Sequence, residues 1–189
     1  PDERVDYLSA MFKPKKTTYA QVDMVDVPGL VRGSSQGEGS GNEFLATIRN
    51  ADLLTHVARA FENDEILHAE DSIDILRDIA TIDMELLFAD LQIIENRLSR
   101  INAAAKKKTE HPLELPTLAK CQEFLLTEKP LKLLQLSAEE RESVKHIPFL
   151  TDKPLLIIIN VDEKQQAAAD YPGRQDVEQY CAEQGYKWL

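Results

Sequence analysis

"KPLLIIINVDE", residues 153–163, is the stretch that decides the fold. Leu155 to Ile159 form an unbroken apolar run bounded by Pro154 and Asn160. β-Branched side chains lose rotamer freedom in a helix but pack well on a pleated surface. A short apolar run without polar alternation reads as a strand covered on both faces, the hallmark of a parallel sheet flanked by helices.

Working outward, residues 174–185, "RQDVEQYCAEQG", read as a helix closed by Gly185, and the terminal "YKWL" reads as the start of another strand. Upstream, "LLTHVARAF" (53–61) is a second strand, and "GNEFLATIRNAD" (41–52) a short helix before it. From Tyr19 to Val27 the side chains alternate, which predicts a strand ending on Asp26. Residues 2–12 place Val5, Leu8, Met11 and Phe12 on one helical face, with Asp2 as N-cap and Pro14 as breaker.

Between the strands lies a different pattern. From Ser72, apolar residues recur at Ile73, Leu76, Ile79, Ile82, Leu86, Leu87, Leu91, Ile94, Leu98 and Ile101 with no Pro or Gly. A helix of about 35 residues would be roughly 50 Å long, too long to lie on a small domain. From Leu87 the spacing becomes that of a coiled-coil seam, and Leu115, Leu118, Cys121, Phe124 and Leu125 supply the strip of a returning helix. Ser137 and Glu140 form a capping box for a further short helix. The expected architecture is an α/β sheet flanked by helices, with residues 1–80 and 147–189 in the sheet domain and 81–146 projecting as an antiparallel helical hairpin.

The 189 residues carry a net charge of −11, 43% hydrophobic and 29% charged residues, an ordinary globular composition. The acidic balance opposes non-specific binding to DNA, which depends on cations displacing counterions. No apolar run approaches the roughly 20 residues of a membrane helix, and no export leader is recognisable, so a cytoplasmic location is expected. Cys121 and Cys181 lack metal-type spacing and read as reduced, partly buried thiols. A chain running from Pro1 to an unfinished strand is expected to be a piece of a longer one.

In open α/β sheets ligands bind beyond the carboxyl ends of the strands. Two predicted strands end in patterned residues there. Asp26 begins DxxG with Gly29, and five of the seven glycines follow within fifteen residues; Asn160 begins NxxE with Val161 and Glu163. Each pattern alone is common, but both fall in the same register on one sheet edge. A carboxylate such as Asp26 can hold Mg²⁺ through water, and the Gly29 N–H can approach a terminal phosphate because no side chain intervenes. The glycines beyond suit a segment that orders when that phosphate is present.

"VDVPGLVRGSSQGEGSGNEFLATIRNAD", "HVARAFENDEILH" and "NVDE" together resemble the YchF family, or Obg-like ATPases, among the translation-factor-related P-loop NTPases. The resemblance runs along essentially the whole chain. It implies a Ras-like nucleotide-binding sheet interrupted by an antiparallel coiled-coil arm, an ATPase with Mg²⁺ as cofactor, and the ribosome as partner. Relatives that bind GTP use NKxD; here Val161 stands for the Lys and Glu163 for the Asp, which favours ATP while leaving GTP open. Ras-type proteins place a water-orienting Gln after DxxG, where this chain has Leu30. His68 is the candidate to orient or deprotonate the attacking water; a solvated loop histidine is the plainer alternative. His56 is expected to be structural, and His111 and His146 to lie on the hairpin surface. The sequence contains no GxxxxGK[ST] phosphate loop. The resemblance places that loop and the Mg²⁺-binding threonine upstream, and a small TGS domain downstream. The fragment alone is then expected to be inactive, and the competing reading is a helical interaction module with a vestigial nucleotide site.

Overall fold

The β-branched run of 155–160 and the 54–59 segment pair as neighbours, and the fold is built on them. The computed structural model describes residues 2–27, 40–63, 65, 66, 68, 72–103 and 111–189, with side chains within 40–44 left aside. In chain order the helices are α1 (Glu3–Phe12), α2 (Ser40–Arg49), α3 (Ile75–Ala103), α4 (Glu114–Leu125), α5 (Ala138–Val144), α6 (Glu163–Ala168) and α7 (Arg174–Gln184). The strands are β1 (Leu54–Arg59), β2 (Leu155–Asn160) and β3 (Lys187–Trp188). The sheet is parallel in the order β1-β2-β3, with Leu54 opposite Leu155 and Arg59 opposite Asn160. The parallel α/β reading therefore holds.

Covering the sheet explains its composition. Ile157 is wholly buried, and Leu155 and Ile159 join Ala58, Ala60, Ile75, Ile79, Val177 and Cys181 in one core. Gly185 closes α7 at φ 66°, a conformation that a Cβ would strain, and its Cβ position would meet Leu133 at 3.3 Å. Cys121 and Cys181 are free and buried; burial pushes the Cys121 thiol up to about 11.

The predicted strand over 19–27 is a correction, because no regular element forms there. Val22, Met24 and Val25 are exposed, Val22 at 85%. Alternation alone does not make a strand: backbone N–H and C=O groups need a neighbouring ladder, and among the described residues β1 pairs only with β2. The segment instead touches α1 at its start, where the Tyr19 hydroxyl donates to Asp6, and just before it Thr17 Oγ1 meets Ser9 Oγ at 2.5 Å. α1 has the predicted Asp2 cap, which accepts from Arg4 N, and buries none of its residues.

α3 is described over 29 residues and opens at Ile75 rather than Ser72, because the 72–74 stretch forms its entry: Asp74 Oδ1 accepts from Arg77 N at 3.0 Å. α4 packs on it, as the apolar spacing requires. Leu87, Ile94 and Ile101 meet Leu118, Cys121 and Leu125. The cluster is broader than a two-helix seam, since Leu131, Leu134, Val144, Ile147 and Phe149 share it. At its polar flank, fully buried Glu114 accepts from Arg97 Nε at 2.6 Å and lies 3.3 Å from His146 Nε2. His146 is exposed, as expected of the hairpin surface, and also partners this buried carboxylate. Residues 104–110, including the Lys106–Lys108 run, lie outside the described residues.

α2 and α3 meet in a third cluster of Leu45, Ile48, Leu86, Ala89 and Leu150. Beside it, Asp90 is completely buried and saturated: it accepts from Leu150 N (2.9 Å), Thr151 N (2.8 Å) and Thr151 Oγ1 (2.8 Å), with Arg49 Nη1 at 3.8 Å. No described helix is long and apolar enough to cross a membrane.

Candidate functional site

The carboxyl edge of the sheet is organised by backbone bonds between the residues that leave β1 and β2. Ala60 N donates to Asn160 O at 2.8 Å, and Gln165 Nε2 donates to Ala60 O at 2.8 Å. The second bond comes from a helix the sequence reading missed. Asp162 is the N-cap of α6: it accepts from Gln165 N at 2.7 Å, while Gln165 Oε1 accepts from Asp162 N at 3.0 Å. The D-x-x-Q spacing was the available signal for this capping box.

That cap sorts the four residues of NVDE. Asp162 is occupied in starting a helix, and Val161 packs against the sheet core. Asn160 and Glu163 are exposed, one at the last residue of β2 and the other at the first of α6. The structure therefore brings Asn160, Val161 and Glu163 together in one short turn at the sheet edge. Asp26 is exposed and lies on no strand, and Gly29 lies outside the described residues.

The loop leaving β1 is held by a residue the sequence reading passed over. Arg59 donates from Nε to Phe61 O (2.8 Å), from Nη1 to Ile66 O (2.9 Å) and from Nη2 to Asn63 O (3.1 Å), with its guanidinium 4.9 Å from the Phe61 ring centre. One planar fork thus gathers three carbonyls of the segment that leads to His68. A lone arginine at a strand end carries no sequence pattern that foretells this.

His68 is not a solvated loop residue. Its side chain is 17% exposed and its Nε2 lies 3.0 Å from Asp78 Oδ2 in the first turn of α3. His56 sits in β1 toward α3; burial pushes its pKa down, while the charge of Asp78 pulls it up. His56 is partly buried within the sheet, in keeping with a structural role.

A parallel sheet with helices over its face and exposed polar residues beyond the carboxyl end of β2 is an α/β arrangement of the kind that takes ligands at that edge. Comparison with known proteins agrees. Residues 9–107 match the 50S ribosome-binding GTPase family. The ribosome-binding ATPase YchF of Bacillus subtilis (strain 168) is 38% identical over 178 residues, covering 94% of this chain and 48% of its own. That of Escherichia coli O157:H7 is 41% identical over 164 residues, covering 86% and 45%. The solved structure of the Schizosaccharomyces pombe YchF GTPase superposes with a TM-score of 0.77 at 29% identity, covering all of this chain and 52% of that one. The chain belongs to the 50S ribosome-binding GTPase family, in its YchF branch. It spans about half the length of the curated relatives it matches.

Proposed function

We propose that this chain is the central part of an ATP-hydrolysing switch that engages the ribosome, acting in the cytoplasm. The observation that carries the reading is the turn at the end of β2, where Asn160 and Glu163 are exposed while Val161 faces the core. With an apolar residue packed inward at the second position, no cation lies over the base. A Glu at the fourth position is longer than the Asp that reads guanine elsewhere, so adenine is the preferred base, held by Asn160 and the backbone about Val161. The relatives bearing the name ribosome-binding ATPase support both the nucleotide and the partner.

In this reading Asp26 holds Mg²⁺ through water, Gly29 N–H meets the terminal phosphate, and His68 orients the attacking water. When bound, Mg²⁺ supplies charge neutralisation at the phosphates. Residues 1–80 and 147–189 form the nucleotide domain. Residues 81–146, built around α3 and α4, form an antiparallel coiled-coil arm toward the ribosome. The phosphate-cradling loop is contributed by sequence outside this chain, so the fragment alone does not turn over.

Titration calorimetry of the full-length protein with ATP and GTP in the presence of Mg²⁺ tests the assignment. ATP is expected to bind more tightly than GTP, and Glu163→Asp to narrow the difference. A preference for GTP overturns the base assignment, and heat from neither nucleotide overturns the switch.

A further inference from the structure

We propose that Asp78 is the positioning residue of His68, a role that rests on the hydrolytic reading above. Asp78 divides its two oxygens. Oδ2 faces His68 Nε2 at 3.0 Å, whereas Oδ1 accepts from Arg77 Nε at 3.1 Å and Nη2 at 2.9 Å. Arg77 is itself held, donating from Nη1 to Ser72 Oγ and from Nη2 to Ser72 O, both at 2.7 Å. The carboxylate is therefore fixed from behind before it meets the imidazole, and its side chain is only 15% exposed.

A carboxylate at one ring nitrogen sets which tautomer the neutral imidazole adopts. With Nε2 facing Asp78 Oδ2, the ring is held in one orientation. Orientation matters because a positioned base contributes only when ring and water are aligned. Among the described residues, Arg77 and Asp78 from α3, His56 from β1 and Ser72 from the connection stand around the pair, and Arg59 at the end of β1 fixes the preceding loop.

Because Asp78 lies in the first turn of the longest helix, His68 is tied directly to α3. The sequence offered no reason to choose Asp78 among the acidic residues between 62 and 78. Only the fold puts it beside the imidazole.

Steady-state ATP hydrolysis by the full-length protein tests the role, with thermal melts confirming that each variant folds. Asp78→Ala is expected to lower kcat about tenfold or more with KM for ATP unchanged. Asp78→Asn keeps an accepting oxygen without the charge, so it retains more turnover than Asp78→Ala, again with KM for ATP unchanged. In a His68→Ala background, Asp78→Ala costs nothing further, the non-additivity expected of residues acting as one unit. Equal losses in both backgrounds, or a loss in Asp78→Ala that falls on KM rather than kcat, overturn the positioning role while leaving His68 in place. Undiminished turnover in His68→Ala overturns the hydrolytic assignment of His68, and the role of Asp78 with it.

Discussion

Ile157 and Val22 are both β-branched residues in apolar-rich segments, yet Ile157 is 0% exposed and Val22 is 85% exposed. The difference lies in their neighbours. Ile157 has β1 on one side, β3 on the other and helices over its face. Val22 belongs to a stretch that pairs with no strand among the described residues. A strand is a property of a pair of segments, since its backbone groups are satisfied only by an adjacent ladder. Side-chain pattern selects which face is buried once that ladder exists.

The contrast can be broken by substitution and denaturant unfolding. Ile157→Ala removes buried methyl groups from a filled core and is expected to cost about 3–4 kcal/mol. If it costs no more than a surface change, the sheet is not the centre of stability.

A second test probes the electrostatic cost of the covered region. Asp83, on α3, accepts from the Tyr180 hydroxyl of α7 at 2.7 Å. Burial pushes its carboxyl up to about 6, against the hydrogen bonds from Tyr180 and Tyr186 that pull the other way. A folded-state value above the unfolded one means the folded chain binds more protons. This contribution is full below about pH 4 and is lost as pH rises through 6, by up to about 3 kcal/mol. Unfolding measured from pH 4 to 7 should show the decline, and Asp83→Asn should flatten it.

Caps lie between the two extremes, because their partner is only three residues away. Ser137→Ala removes the bond to Glu140 N at 3.2 Å and is expected to cost about 1 kcal/mol in the same unfolding assay. At the far end, Val22→Ala should change stability by no more than about 0.5 kcal/mol. A larger loss would mean that residues 19–27 are paired in solution.

The same distinction explains what could be read from sequence. β2, the Ser137–Glu140 box, the Gly185 cap and the apolar meeting of α3 with α4 depend on run length, local hydrogen bonds or helical period, all visible in one dimension. The end of β2 was legible as a strand terminus bearing exposed Asn160, the edge to which topology directs ligands in such sheets. The Asp162–Gln165 cap was visible too, but it lay inside NxxE and was absorbed by that motif. Arg59, Asp78 and Asp90 were not legible. Their partners are carbonyls, a histidine and backbone amides brought near by folding, up to 61 residues away for Asp90.

Asp90 gives the molecule a mechanical character. Its carboxylate bolts the middle of α3 to Leu150 and Thr151, and Thr151 stands four residues before Leu155 opens β2. Buried bonds of this kind do not stretch; they hold or break. The middle of α3 is thereby fastened to the segment that opens β2, the strand whose far end bears Asn160.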